Sequence, residues 1–315
     1  MDLLDRSMGH WQISPNIDRW QYHFEDLNDA PLSSTRVSLT KETRNWSKIA
    51  EFADLTELTL DRPDKRQIEM LSKLPHLKRL RISHTRSKKL DGIEELTELE
   101  ELVLEYASGI ERLDIIGALP NLAAIHLENL RNVRDFSGLG NLETLRYLGI
   151  TGTLDRKQTI RSFEFLRKFQ RLETLRLTGL NVLSNGDQFS PFEHLTSLKK
   201  IYVASDVFEL EFFAWFQAKF PHVEGAIRSP YDRYGGTRER VSAPDIYATM
   251  PEELVKKEAP GIEIDEDGSR WRSMNHGAIL LGKGERTVQG SKATVDAKCA
   301  AHSARYKTLL NRFLG

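Results

Sequence analysis

LTELEELVLEY, residues 96–106, sets the frame for most of the chain, because variants of it recur along two thirds of the 315 residues. Its core is LxxLxL, with apolar side chains at Leu99, Leu102 and Leu104. The same frame returns as Leu55/Leu58/Leu60, Leu77/Leu80/Ile82, Leu122/Ile125/Leu127, Leu145/Leu148/Ile150, Leu172/Leu175/Leu177 and Leu198/Ile201/Val203, with a weaker copy at Val37/Leu39. The middle positions fall at 37, 58, 80, 102, 125, 148, 175 and 201, so the steps run from 21 to 27 residues. A repeat of that length headed by LxxLxL predicts a solenoid, in which each coil buries its apolar face only against its neighbours.

About ten residues after each strand motif come apolar pairs such as Leu90/Ile93, Leu113/Ile116 and Val133/Phe136, followed by Leu96, Leu119 or Leu139. On these residues the stretch 33–205 resembles the leucine-rich repeat superfamily, in its short-repeat form familiar from bacterial internalins. The resemblance implies an α/β solenoid with a curved parallel sheet on the concave face and short helices or turns on the convex face. It also implies a recognition scaffold without enzymatic activity. The family usually carries Asn three residues after the last strand Leu, where its side chain satisfies turn backbone groups. Here those places hold Pro63, Thr85, Ala107, Leu130, Thr153, Leu180 and Asp206, so the turns must find other hydrogen-bond partners.

A composition of 39% hydrophobic and 29% charged residues is ordinary for a globular protein. The apolar runs fall far short of the ~18 residues a spanning helix needs, so no membrane is expected. The start, MDLLDRSMGHW, lacks a basic head with an apolar core, which predicts no secretory signal. A single cysteine, Cys299, cannot close an internal disulfide and suits a reducing, cytoplasmic compartment. The net charge of −1 conceals an asymmetry: residues 268–315 hold nine Lys and Arg against Glu285 and Asp296, +7, leaving −8 on the rest. Such a tail either meets an acidic partner or folds back on the acidic solenoid.

In chain order, residues 1–32 are rich in aromatics. The alternation Trp20, Tyr22, Phe24 reads as a strand with one buried face, within an N-terminal cap or an aromatic binding platform. Residues 33–205 are about eight repeats, with helical spacing in the convex connections at Ile68/Leu71/Leu74 and Phe163/Leu166/Phe169. The two longest repeats hold the extra loops TGTLDRKQT (151–159) and LSNGDQF (183–189), and loops of that kind are where function is often added. In 206–227 the spacing of Phe208, Phe212, Trp215, Phe216 and Phe220 predicts an amphipathic helix, read as a C-terminal cap or a dimer contact. Pro, Gly and Arg collect in 228–245, read as a linker. Residues 246–315 read as a small basic α+β unit: a helix near Pro251, a hairpin turning at Asp267-Gly268, a strand at HGAILLGKG and a long helix from Ser291.

Alternation along each strand sends the Leu positions inward and the residues between them onto the concave sheet. Strands in register then lay out three ladders, one of them running Arg36, Glu57, Arg79, Glu101, Ala124, Tyr147, Thr174, Lys200. The N-terminal half is a mixed-charge surface. Further along, His126, Tyr147, Arg176 and Tyr202 gather around the small Gly149, flanked by Glu101, Glu105 and Glu128. Tyr and Arg are enriched at interface centres, so these seven side chains are the expected contact patch for a protein partner, with a solvated sheet face as the plainer reading.

Other chemistry is weak. Cys299 and His302 share a helix face but sit on the apolar seam Val295, Cys299, His302, Tyr306, Leu309, Phe313, which favours packing over nucleophilic catalysis. LLGKGERT lacks GxxxxGK[ST], DEDG lacks EF-hand spacing, and His residues are scattered, so neither cofactor nor metal is expected. The expected function is a non-enzymatic intracellular interaction scaffold. One alternative gives a nucleic acid or other polyanion to Lys283, Arg286, Lys298, Arg305 and Arg312, with the solenoid as targeting domain. Another makes the tail an effector module.

Overall fold

A computed structural model of the chain describes residues 20–140, 142–153, 155–183, 187–236, 238–273 and 275–315, together with the backbone of the antiparallel pair Leu4–Asp5 and Gln12–Ile13. Trp11, Leu154 and residues 184–186 of the second long loop lie outside the described residues. The chain divides into two compact units, one of residues 1–207 with 220–227, the other of 208–219 with 228–315.

The first unit is a solenoid. Among the described residues its eight strands, Arg36–Thr40, Glu57–Asp61, Arg79–Ser83, Glu101–Glu105, Ala124–Glu128, Tyr147–Thr151, Thr174–Thr178 and Lys200–Val203, form one parallel sheet in chain order. Register follows the leucines: Leu58 pairs Leu80, Leu80 pairs Leu102, and Leu102 pairs Ile125. The inward positions Leu58, Leu80, Leu102, Ile125, Leu148 and Leu175 are fully buried. Three such apolar side chains per coil are worth roughly 1.5–3 kcal/mol each, which no isolated coil could realise.

Turn backbone groups are satisfied by the next coil in place of an asparagine ladder. The amides of Arg62, His84, Tyr106 and Asn129 donate to the carbonyls of Ser83, Glu105, Glu128 and Thr151 at 2.8–2.9 Å. Side chains add further links, Asn121 to Thr97 O at 2.8 Å, Asn132 to Ser108 O at 2.7 Å and Gln158 to Val133 O at 2.7 Å. The convex side is built of short helical turns, Lys65–Glu69 running into Met70–Lys73, and a 3-10 turn at Glu164–Lys168 where the Phe163/Leu166/Phe169 spacing pointed. In the long repeats the extra chain makes a parallel pair of its own, Gln158–Ile160 with Leu180–Val182.

Three readings of the sequence differ from the structure. Trp20, Tyr22 and Phe24 do not lie on a strand: residues 20–22 form a 3-10 turn, with isolated parallel bridges from His23 to Ser38 and Asp26 to Arg44 and a hydrogen bond from Arg36 to the Tyr22 hydroxyl at 3.0 Å. The aromatic helix does end before Pro221, but it is not part of the solenoid unit. It spans Leu210–Lys219 and packs in the second unit, whereas Phe220–Ile227 continues the solenoid through the Glu224 bridge to Lys200. The linker reading of 228–245 gives way to strands, because Tyr231–Tyr234 pairs with His276–Leu280 and Arg238–Arg240 with Arg270–Ser273.

In the second unit the helix Glu252–Glu258, the hairpin Ile262–Ile264 with Arg270–Ser273, and the helix Lys292–Leu314 capped by Ser291 stand where the sequence put them. One small core joins Ala278, Val288, Val295 and Cys299, and another Val241, Val255 and Ile262. The phenol of Tyr306 donates to Gln217 Oε1 at 2.7 Å, tying the long helix to Leu210–Lys219.

Leu102→Ala removes a fully buried side chain at mid-stack and is expected to cost about 2–5 kcal/mol in urea unfolding. A loss well under 1 kcal/mol would contradict the packing described.

Candidate functional site

The concave ladders stand in the register the alternation required, Glu101 beside Ala124 and Ala124 beside Tyr147. Unlike a solvated sheet face, most of it is buried. Glu101 is 0% exposed, His126 and Tyr147 1% each, and Glu57, Arg81 and Glu105 are buried as well. Charges in such surroundings need partners, since an uncompensated buried ion costs several kcal/mol. Arg81 accordingly grips Glu105 with two bonds, Nε to Oε2 at 2.9 Å and Nη2 to Oε1 at 2.5 Å, while Ser83 Oγ donates to the same carboxylate at 2.9 Å. Arg79 faces Glu101 at 3.6 Å and Arg36 faces Glu57 at 3.8 Å.

Beyond this belt lies a histidine that burial holds uncharged. His126 Nδ1 is 3.1 Å from the Tyr147 hydroxyl and Nε2 is 3.4 Å from Thr151 Oγ1. Gly149 makes the room, because a Cβ there would stand 2.3 Å from His126 Nδ1 and 2.8 Å from the Tyr147 oxygen. Burial, then the Arg176 and Arg81 charges, push the imidazole down from 6.5 to about 3. Burial also raises the Tyr147 phenol. A neutral ring keeps one donor and one acceptor, so a phenol donating to Nδ1 leaves the Nε2 proton for Thr151.

Of the seven predicted contact residues, Glu101, Glu105, His126 and Tyr147 are buried, and Glu128, Arg176 and Tyr202 reach solvent. Arg176 lies 4.5 Å over the ring of Tyr202, which is 51% exposed. Burial, then the Glu105 charge, raises the Glu128 carboxyl, against the opposing hydrogen bond from Tyr106. Tyr106 was not foreseen. It is 37% exposed, stacks on His84 with centroids 4.8 Å apart, and stands in a row with Arg62, His84 and Asn129, all at φ between 49° and 57°. Each is two residues past the last apolar strand position. Asn129 and His84 are of residue types enriched in the left-handed region, Arg62 and Tyr106 are not, so composition gave little signal for the row.

The five basic residues of the second unit are not equivalent. Arg305 holds Glu285 at 2.7 Å, Arg312 pairs with Glu211, and Lys283 is engaged and half-buried. Arg286 and Lys298 are exposed, and among the described residues no ion pair reaches them. Part of the tail's charge is thus taken up within its own unit. Cys299 and His302 are both buried, and both His302 nitrogens face elsewhere, Nε2 to Leu281 O at 2.9 Å and Nδ1 towards Glu285 at 3.9 Å. The pair is a packing feature.

Stacked coils of 21–27 residues, one in-register parallel sheet and short convex helices define the class: a short-repeat leucine-rich repeat solenoid. No protein-family profile matches the chain, and no curated protein matches it. Among solved structures it is similar to an internalin C2 from Listeria monocytogenes, at 21% identity and TM-score 0.41, over 55% of this chain and 75% of that one. It is also similar to an internalin InlF of the same organism, at 13% and 0.39, over 61% and 66% of the two chains. The leucine-rich repeat domain of the type III effector XopL aligns at 13% identity and TM-score 0.32, over 54% of this chain and 76% of that one. No helix among the described residues is long and apolar enough to cross a membrane.

His126 makes stability depend on pH. Between about 3 and 6.5 the unfolded chain binds a proton that the folded chain refuses, so its contribution is complete above 6.5 and is lost as pH falls through that window. The urea midpoint is expected to drop between pH 7.5 and pH 5, and to drop less in His126→Gln.

Proposed function

We propose that the chain is a non-enzymatic, intracellular scaffold that binds another protein through the concave face of its solenoid. The observation that carries this reading is the solvent-facing Arg176–Tyr202 stack on the sheet, with Glu128 two strands from Arg176. An Arg guanidinium already layered on an aromatic ring loses little freedom on binding, and both residue types dominate the energetics of protein interfaces. Eight strands offer ample room for the ~800 Å² per partner of a standard interface. Glu101, Glu105, His126 and Tyr147 lie buried in the same sheet. A single buried thiol, Cys299, suits a reducing compartment.

The second reading, a polyanion on the C-terminal unit, retains Arg286 and Lys298 as uncommitted cations and is the weaker for having Arg305 and Arg312 already paired.

The test is affinity purification with the intact chain carrying Arg176→Glu or Tyr202→Ala. Both side chains are partly exposed, so folding should be unchanged by circular dichroism while recovery of the partner falls at least tenfold. Equal recovery with both variants removes the concave face from the interface.

A further inference from the structure

The connections that leave the strands after Ser83, Glu128 and Thr151 are net positive in their first few residues, whereas the one after Glu105 holds Glu111, Arg112 and Asp114. Residues 1–267 have a net charge of −8, yet Arg86, Lys88, Lys89, Arg131, Arg134 and Arg156 all lie within a few residues of a strand's C-terminal end. All six are exposed, and among the described residues no ion pair reaches any of them.

Backbone and amide bonds show that these connections stack into one row. Ser108 N donates to Thr85 O at 3.0 Å, Asn132 Nδ2 to Ser108 O at 2.7 Å, Gln158 Nε2 to Val133 O at 2.7 Å and Arg161 N to Arg134 O at 2.9 Å. Clefts open between the coils. One of about 580 Å³ is lined by Lys65, Arg86, Lys88 and Lys89 with Asp91, and another of about 400 Å³ by Arg131, Arg134, Arg156 and Lys157. Asn129, Asn132, Gln158 and Thr159 complete the second lining, in which the described residues include no carboxylate and no aliphatic or aromatic side chain. Lys157 is already held by Asp206 at 2.7 Å. Between the two clefts a third is mixed, with Leu90, Ile110 and Ile115 beside Asp91, Glu111 and the Arg112–Asp114 pair.

We propose that this edge binds the sugar-phosphate backbone of a nucleic acid. Clustered cations repel one another unless an anion lies among them, and the planar fork of Arg matches a phosphate in two bonds. The row from Arg86 to Arg156 crosses three coil steps of ~4.8 Å, about 14 Å in all, which spans roughly four phosphates of one strand at ~3.4 Å each. A protein partner would need an apolar centre; the described lining of the 400 Å³ cleft offers none, and the apolar residues of the middle cleft stand beside Asp91, Glu111 and Asp114. Among the described residues no aromatic ring lines these clefts for base stacking, so the contact is independent of sequence.

The test is fluorescence anisotropy of the full chain with a labelled 15-nucleotide single strand and the corresponding duplex. Binding is expected at 50 mM salt. With about four phosphates neutralised on a single strand, affinity should fall roughly 50-fold by 200 mM. Arg131→Gln/Arg134→Gln/Arg156→Gln, all at the surface, should weaken binding at least tenfold at 50 mM salt, flatten the salt dependence and keep the melting temperature. Failure to bind either probe at 50 mM overturns the proposal. So does a triple variant that binds like the parent, a loss that appears with Arg286→Gln/Lys298→Gln instead, or displacement by polyglutamate as effective as by unlabelled oligonucleotide.

Discussion

A strand in a parallel sheet can satisfy none of its own amides, and in a solenoid the only partner on offer is the next coil. The consequence is strict repetition at the two ends of every strand. At the entry, one carbonyl takes two successive amides of the following coil, as Thr56 does for Lys78 and Arg79, and Lys78 for Glu100 and Glu101. At the exit, the amide two residues past the last apolar position reaches the following coil, whatever its side chain. Arg62, His84, Tyr106 and Asn129 therefore all adopt left-handed backbone, at an intrinsic cost of roughly 1–2 kcal/mol for a residue with a Cβ. Variation is pushed to the connections between strands, where coils of 27 and 26 residues absorb excess as the small pair Gln158–Ile160 with Leu180–Val182.

The same repetition governs the electrostatics. Alternation exports every second strand residue to the concave face, and burial there turns the charge sequence into a pairing problem. Arg81 solves it by reaching one strand over to Glu105, helped by Ser83. His126 solves it by staying neutral between Tyr147 and Thr151, which also disqualifies it as a base near neutrality. The face is thus a stiff frame whose accessible chemistry is displaced to its ends, to the Arg176–Tyr202 stack and to Tyr106 on His84.

The amino-acid order alone determined the solenoid, the strands, their register and the inward leucines, because the 21–27-residue period and the two-residue alternation are local patterns that the chain cannot hide. The hairpin at Asp267-Gly268 and the long helix after Ser291 were legible for the same reason, as turn and cap chemistry act within a few residues. Tertiary structure alone decided what depends on distant partners. The helix Leu210–Lys219 reads as a cap until Tyr306 and Arg312 of the long helix come to meet it. The strands at 231–234 and 238–240 exist only because residues near 270–280 pair with them. Burial of Glu101, Glu105, His126 and Tyr147 could not be read from alternation, which says which way a side chain points and nothing of what lies above it. A period is written in the chain, but depth is a property of everything around it.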